Sequence, residues 1–260
     1  MDIGVSNRRA VICGGSGGIG RAAAWRLSAE GALVTLVARN ADKLEEAARD
    51  IRATSGVPVD CFATDLTTAA GRAALLAAHP AADILVTNSG VPQRFAPFSS
   101  LGRADWDWWF EAHFFSAVDL IQGYLPGMMQ RGFGRIVNVS VSFIKFPQVN
   151  AGHSHAARLA LAGAIASLVR EAAPHNVTIN SVLPGLVDTE ALRKALRERA
   201  ESSKVGLEVV VAEVSARCAA GRLADPQEAG DLIAMLAAAQ MGYVTGQNII
   251  NDGGAFQGLF

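Results

Sequence analysis

Residues 9–21, Arg9-Ala-Val-Ile-Cys-Gly-Gly-Ser-Gly-Gly-Ile-Gly-Arg21, set a short apolar strand directly before a glycine cluster that opens an alanine-rich helix. The cluster holds G-x-G-x-x-G at Gly15, Gly17 and Gly20, and an overlapping set at Gly14, Gly18 and Gly20. Glycines let backbone N–H groups approach a pyrophosphate, and a helix N-terminus adds partial positive charge there. Alone the motif is weak evidence; between a first strand and a first helix it marks a dinucleotide-binding turn.

Outward from that turn, β-branched runs alternate with helical patterns. Strands are expected at Arg9–Cys13, Leu33–Ala38, Val57–Phe62, Asp83–Thr87, Gly134–Ser140, Val177–Leu183 and Gln247–Ile250. Helices are expected at Ile19–Ala29 and Ala41–Ala53, with a long one from about Arg103 to Met129. Strands that are apolar throughout suit a sheet covered on both faces, and strict β/α alternation indicates a parallel, doubly wound sheet. No linker or internal repeat interrupts residues 1–260, so a single α/β domain is the simplest reading. The charged helical segment Thr189–Ala220 stands apart from the pattern and is read as a substrate lid, with a plain surface insertion as the alternative.

Composition narrows the function classes. Half of the 260 residues are apolar and the formal net charge is −1, which argues against a polybasic nucleic-acid surface. Cys13, Cys61 and Cys218 have no paired or metal-ligand spacing and read as reduced thiols. The first ten residues lack the apolar core of a signal peptide, and the apolar run Leu159–Val169 falls short of the ~20 residues that cross a bilayer. The expectation is a soluble cytoplasmic protein with a small-molecule substrate.

After the second strand the chain reads Val37-Ala-Arg39-Asn40, with no acid to take the adenosine ribose hydroxyls. An arginine fork suits a 2′-phosphate, so NADP(H) is expected over NAD(H).

Several further motifs make the chain resemble the short-chain dehydrogenase/reductase family over its whole length, near its β-ketoacyl-ACP reductase-like branch. They are CGGSGGIG at 13–20, Asp65-Leu66, Thr87-Asn-Ser-Gly90 where the family usually has NNAG, and Asn180-Ser-Val-Leu-Pro-Gly-Leu-Val-Asp-Thr189. Gly221-Arg-Leu-Ala-Asp-Pro226 and Val244 to Gly254 complete the match. The resemblance implies a Rossmann-type seven-stranded sheet in a homodimer or homotetramer. It also implies cofactor contacts from Gly14, Ser16, Gly18, Ile19 and Gly20, and an adenine site at Asp65 and Leu66. Asn88 and Gly90 would run along the cofactor, with Pro184, Gly185, Val187 and Thr189 at the nicotinamide.

The family's chemistry uses an asparagine, a serine, and a tyrosine four residues before a lysine. Here the asparagine position falls on His113 and the serine position on Val141, with Ser140 and Ser142 beside it. The tyrosine and lysine positions fall on Ser154 and Arg158 within Gly152-His-Ser-His-Ala-Ala-Arg158. Arginine keeps the charge and donors that grip ribose hydroxyls. Serine is a much weaker acid than phenol and much shorter.

Histidine is the natural substitute acid or base, and His113 ranks ahead of His153 and His155. The candidate catalytic set is therefore His113, Ser154, Arg158 and Ser142. Histidines two apart on a helix are poorly placed for one metal, so no metal is expected. Halohydrin dehalogenases are similar and pair tyrosine with arginine, but they lack the glycine-rich turn. Phe95, Phe98, Phe143, Phe146 and Phe256 are expected to ring an apolar pocket, with Lys145 and Arg94 as candidate anion contacts. The first reading is an NADP(H)-dependent oxidoreductase of carbonyls or alcohols. The alternatives are a cofactor-binding pseudoenzyme or partner subunit, and a non-redox lyase or hydrolase on the same fold.

Overall fold

The computed structural model describes residues 2–91 and 95–259. Seven parallel strands are observed: β1 (Arg9–Cys13), β2 (Leu33–Ala38), β3 (Val59–Ala63), β4 (Ile84–Thr87), β5 (Gly134–Val139), β6 (Val177–Pro184) and β7 (Asn248–Asn251). Their order, β3-β2-β1-β4-β5-β6-β7, reverses direction between β1 and β4. That reversal opens a crevice beyond the strand C-termini, which is where open α/β sheets bind ligands.

Helices α1 (Gly18–Ala29), α2 (Ala41–Ser55), α3 (Ala69–Ala78), α4 (Arg103–Phe110), α5 (Ser116–Gln130), α6 (Gly152–Ala172), α7 (Glu190–Ser203), α8 (Leu207–Ser215) and α9 (Pro226–Ala237) complete the chain. One apolar layer joins the sheet to α1, α2 and α9 through Leu27, Leu44, Ile51 and Ile233. The other joins it to α3, α5 and α6 through Leu75, Leu120, Ile121, Leu161 and Ile165. Every residue of β4, β5 and β6 is buried, as strands covered on both faces require.

Local chemistry sets the boundaries. β3 starts at Val59 rather than Val57, because Gly56 ends α2 in the left-handed region and Pro58 has no N–H for the ladder. α2 begins where Asn40 accepts from Lys43 N at 2.8 Å, and α9 begins with a capping box between Asp225 and Glu228.

The long helix expected over 103–129 is broken. A π-helical turn, Glu111–Phe115, separates α4 from α5. In an unbroken α-helix, residues eight apart point roughly 80° from each other. The wide turn removes most of that offset, so Glu111 and Asp119 both reach the buried Arg72 of α3, at 3.0 and 2.6 Å. Such turns recur at functional sites, and this one carries His113.

The segment expected as a lid forms α7 and α8, which share a small core of Leu196, Ala200, Val210 and Val214. No helix among the described residues is long and apolar enough to cross a membrane.

Candidate cofactor cleft and catalytic pocket

The ends of β1, β2, β3 and β4 enclose a cleft of about 530 Å³. Gly14 turns the chain at φ +67°, and a Cβ on Gly20 would sit 2.3 Å from the Gly14 carbonyl oxygen. The turn therefore folds back against the start of α1, with Ser16, Gly18 and Ile19 on the cleft wall. The same walls carry Arg39, Asp65, Leu66, Asn88, Gly90 and Thr189. Burial raises the Asp65 carboxyl, but hydrogen bonds from Thr67 and the charge of Arg39 outweigh it and hold it low. Gly20 lines no cleft; its place is under the turn.

A second space of about 200 Å³ continues from the first and shares Ile19, Asn88, Gly90 and Thr189 with it. Pro184, Gly185, Val187 and Arg158 line this part, with Ser140, Val141, Leu186 and Leu192 opposite. All the expected cofactor residues except Gly20 thus border one continuous crevice.

The four catalytic candidates are less uniformly placed. Arg158 opens onto the second space and is half-buried. Burial pushes its pKa down to about 10, which still leaves it charged at neutral pH. Its Nε lies 3.4 Å from Ser154 Oγ one turn earlier, a long contact with a fully buried side chain.

Ser142 is also fully buried, on a short helical turn after β5, and its hydroxyl has no hydrogen-bond partner among the described residues. His113 is 4 % exposed, stacked on Trp109 at 5.1 Å, with Nδ1 2.9 Å from Ser89 Oγ. Burial first, then the charges of Arg158 and His153, push its pKa down to about 2. His155 is lowered by burial, then by Arg158 and His153. His113, Ser89, Ser140 and Arg158 border an inner cavity of about 10 Å³, room for about one water. Among the described residues, the Nε2 of His113 and the hydroxyl of Ser140 have no hydrogen-bond partner.

Residues 8–200 match the profile of the short chain dehydrogenase family. The chain belongs to that family. Acetoacetyl-CoA reductase of Allochromatium vinosum is 30% identical over 257 residues, spanning 96% of this chain and 98% of its own. An L-sorbose reductase from Gluconobacter frateurii, solved with NADPH and L-sorbose, superposes with a TM-score of 0.94 at 31% identity over the full length of both chains. An NADPH-bound short-chain oxidoreductase from Pseudomonas aeruginosa PAO1, described as containing an atypical catalytic center, gives a TM-score of 0.87 at 29% identity. That match covers 98% of this chain and 99% of the other.

Within the family frame, three contacts had no place in the sequence reading. Ser89, the hydroxyl in Thr87-Asn-Ser-Gly90, partners His113 and borders the inner cavity and both larger spaces. Its departure from NNAG was the available signal. Trp109 packs against both His113 and His153. Lys43 and Glu190, distant in sequence, meet across the cofactor cleft.

The aromatic ring is only partly assembled. Phe143, Phe146 and Phe256 form one cluster, whereas Phe95 and Phe98 are exposed. Lys145 is exposed, and Arg94 lies outside the described residues. Among the described residues, no group of three or more His, Cys, Asp or Glu could hold a metal ion.

Proposed function

We propose that the protein is an NADP(H)-dependent short-chain oxidoreductase that interconverts a carbonyl and an alcohol on a cyclic, aromatic or acyl substrate. The observation that carries this reading is the cleft wall after β2, where Arg39 is followed by Asn40 and Lys43 and no carboxylate stands at the strand end. The Asn40 side chain is committed to capping α2. Arg39, and Lys43 once it leaves its exposed ion pair with Glu190, are the cations for a phosphate on the ribose, a reading supported by the NADPH held in the Gluconobacter and Pseudomonas relatives.

A nicotinamide bound in this crevice would supply or accept the hydride. The chain's own residues position it and manage one proton. Arg158 would grip the nicotinamide ribose, and its charge would stabilise oxyanion character on the substrate oxygen. His113 is held neutral far below pH 7, so its part is that of a hydrogen-bonding imidazole rather than an imidazolium acid. Ser154 would hold the guanidinium of Arg158, while Ser140 and a water in the inner cavity extend the polar path behind it, with Ser142 two residues further along the chain. The usual asparagine, serine, tyrosine and lysine are replaced in this arrangement, and the segment 189–220 serves as the lid. A cytoplasmic homodimer or homotetramer completes the reading; exposed Trp108, Phe115 and Leu159 supply apolar surface for such an assembly.

One observation favours a second reading, a cofactor-binding partner subunit without turnover. Ser142 and Ser154 are fully enclosed, and neither Tyr124 nor Tyr243 borders the crevice or the inner cavity. Purified protein should be screened for NADPH consumption with cyclic ketones, quinones and acyl thioesters, alongside NADPH binding. Turnover on any of them supports the oxidoreductase. Binding with no turnover supports the partner subunit, and product without a change in nicotinamide redox state supports a lyase or hydrolase.

A further inference from the structure

The mouth of the cofactor cleft is bridged by one ion pair. Lys43, in the first turn of α2, donates to Oε2 of Glu190 at 3.0 Å. Glu190 is the first residue of α7 and follows Thr189, whose side chain caps that helix. The two residues stand 147 apart in sequence, and both border the space that Arg39 and Asn40 border. The α7 start also touches the glycine turn, since a Cβ on Gly18 would lie 2.9 Å from the Thr189 methyl carbon. The beginning of the lid thus rests on the pyrophosphate turn and is pinned electrostatically to the adenosine side.

We propose that Glu190 tunes cofactor preference by competing with the ribose 2′-phosphate for Lys43, making the α2–α7 ion pair a phosphate-released latch over the adenosine end of the cleft. This rests on the NADP(H) reading above and adds to it a second phosphate ligand and an opposing charge. The pair is solvated, with side-chain exposures of 52% and 82%, so it is weakly held and readily exchanged. A phosphate monoester carries a charge of about −1.5 to −2 at neutral pH and is the stronger competitor for an ammonium group. Glu190, left beside that phosphate, repels it. A cofactor with a free 2′-hydroxyl places no charge there, leaves the ion pair intact and can donate to a carboxylate.

The test is a fluorescence titration of NADPH and NADH against the wild type, Glu190→Gln, Lys43→Gln and the double variant, at low and moderate salt. Removing one negative charge about 5 Å from a phosphate in a water-like dielectric should tighten NADPH by about three- to tenfold. NADH should be unchanged or weaker. Lys43→Gln should weaken NADPH about tenfold and leave NADH within about twofold. In the Lys43→Gln background the Glu190→Gln gain should shrink, and raising salt should shrink every NADPH effect. Equal shifts for both cofactors, or none, would overturn the latch. A wild type that prefers NADH would instead overturn the NADP(H) reading beneath it, and the latch with it.

Discussion

His113 offers the sharpest physical test, through the pH dependence of stability. Its folded pKa is about 2, against 6.5 for an unperturbed histidine. A depressed histidine is neutral when folded, so its contribution is fully present above pH 6.5 and is lost as pH falls toward the folded value. At pH 5 the unfolded chain has gained a proton that the folded chain refuses, costing about 2 kcal/mol; at pH 4 the cost is about 3.4 kcal/mol. His155 is lowered for the same first cause and adds to the loss in the same direction. The perturbation is His113→Gln, which keeps a donor and an acceptor for Ser89 but does not titrate. Urea unfolding of both proteins should be followed at half-unit steps from pH 8 to 4.5. The stability difference between them should shift by about 1.4 kcal/mol per pH unit below pH 6, in favour of the variant. Parallel curves, or a native His113 imidazole titrating near pH 6.5 by NMR, would refute the enclosed, neutral histidine.

Other perturbations probe separate parts of the site. Arg158→Ala should lower kcat by at least about a hundredfold while the protein remains folded, and Arg158→Lys should restore much of it; stopped-flow NADPH oxidation reads both. Gly20→Ala should abolish cofactor binding by calorimetry, because its Cβ would meet the Gly14 carbonyl at 2.3 Å. Arg135, fully buried, donates to the carbonyls of Gly134, Asn176, Ala238 and Ala239. Arg135→Ala should therefore cost about 3–5 kcal/mol in urea unfolding and leave NADPH affinity unchanged in whatever folded protein remains.

The fold was legible because it rests on local signals. The β1–turn–α1 segment is contiguous, its glycines are forced by close approach, and the seven strands lie within two residues of their expected positions. The residues named for a cofactor, Gly20 aside, border one crevice for the same reason, since they stand at strand ends, where a doubly wound sheet opens. The state of His113 was not legible. Sequence placed His113 at the candidate site, but its protonation depends on burial beside Trp109 and on the charges of Arg158 and His153, which come from α6. The break at Glu111–Phe115 was equally hidden, because the contact it permits, Glu111 and Asp119 together on Arg72, reaches across to α3. Lys43 and Glu190 show the same limit, because neither residue type signals a partner 147 positions away.

The proposed function requires that this crevice bind NADPH and pass its hydride to a carbonyl. Paired titrations of wild type and Arg39→Asp with NADPH and NADH, followed by NADPH oxidation with the best ketone or thioester, test it directly. The wild type should prefer NADPH by at least about tenfold, Arg39→Asp should remove or invert the preference, and NADPH should be oxidised with product formed in equal amount. Tighter NADH binding by the wild type, or a saturated NADPH complex that reduces no substrate, would contradict it.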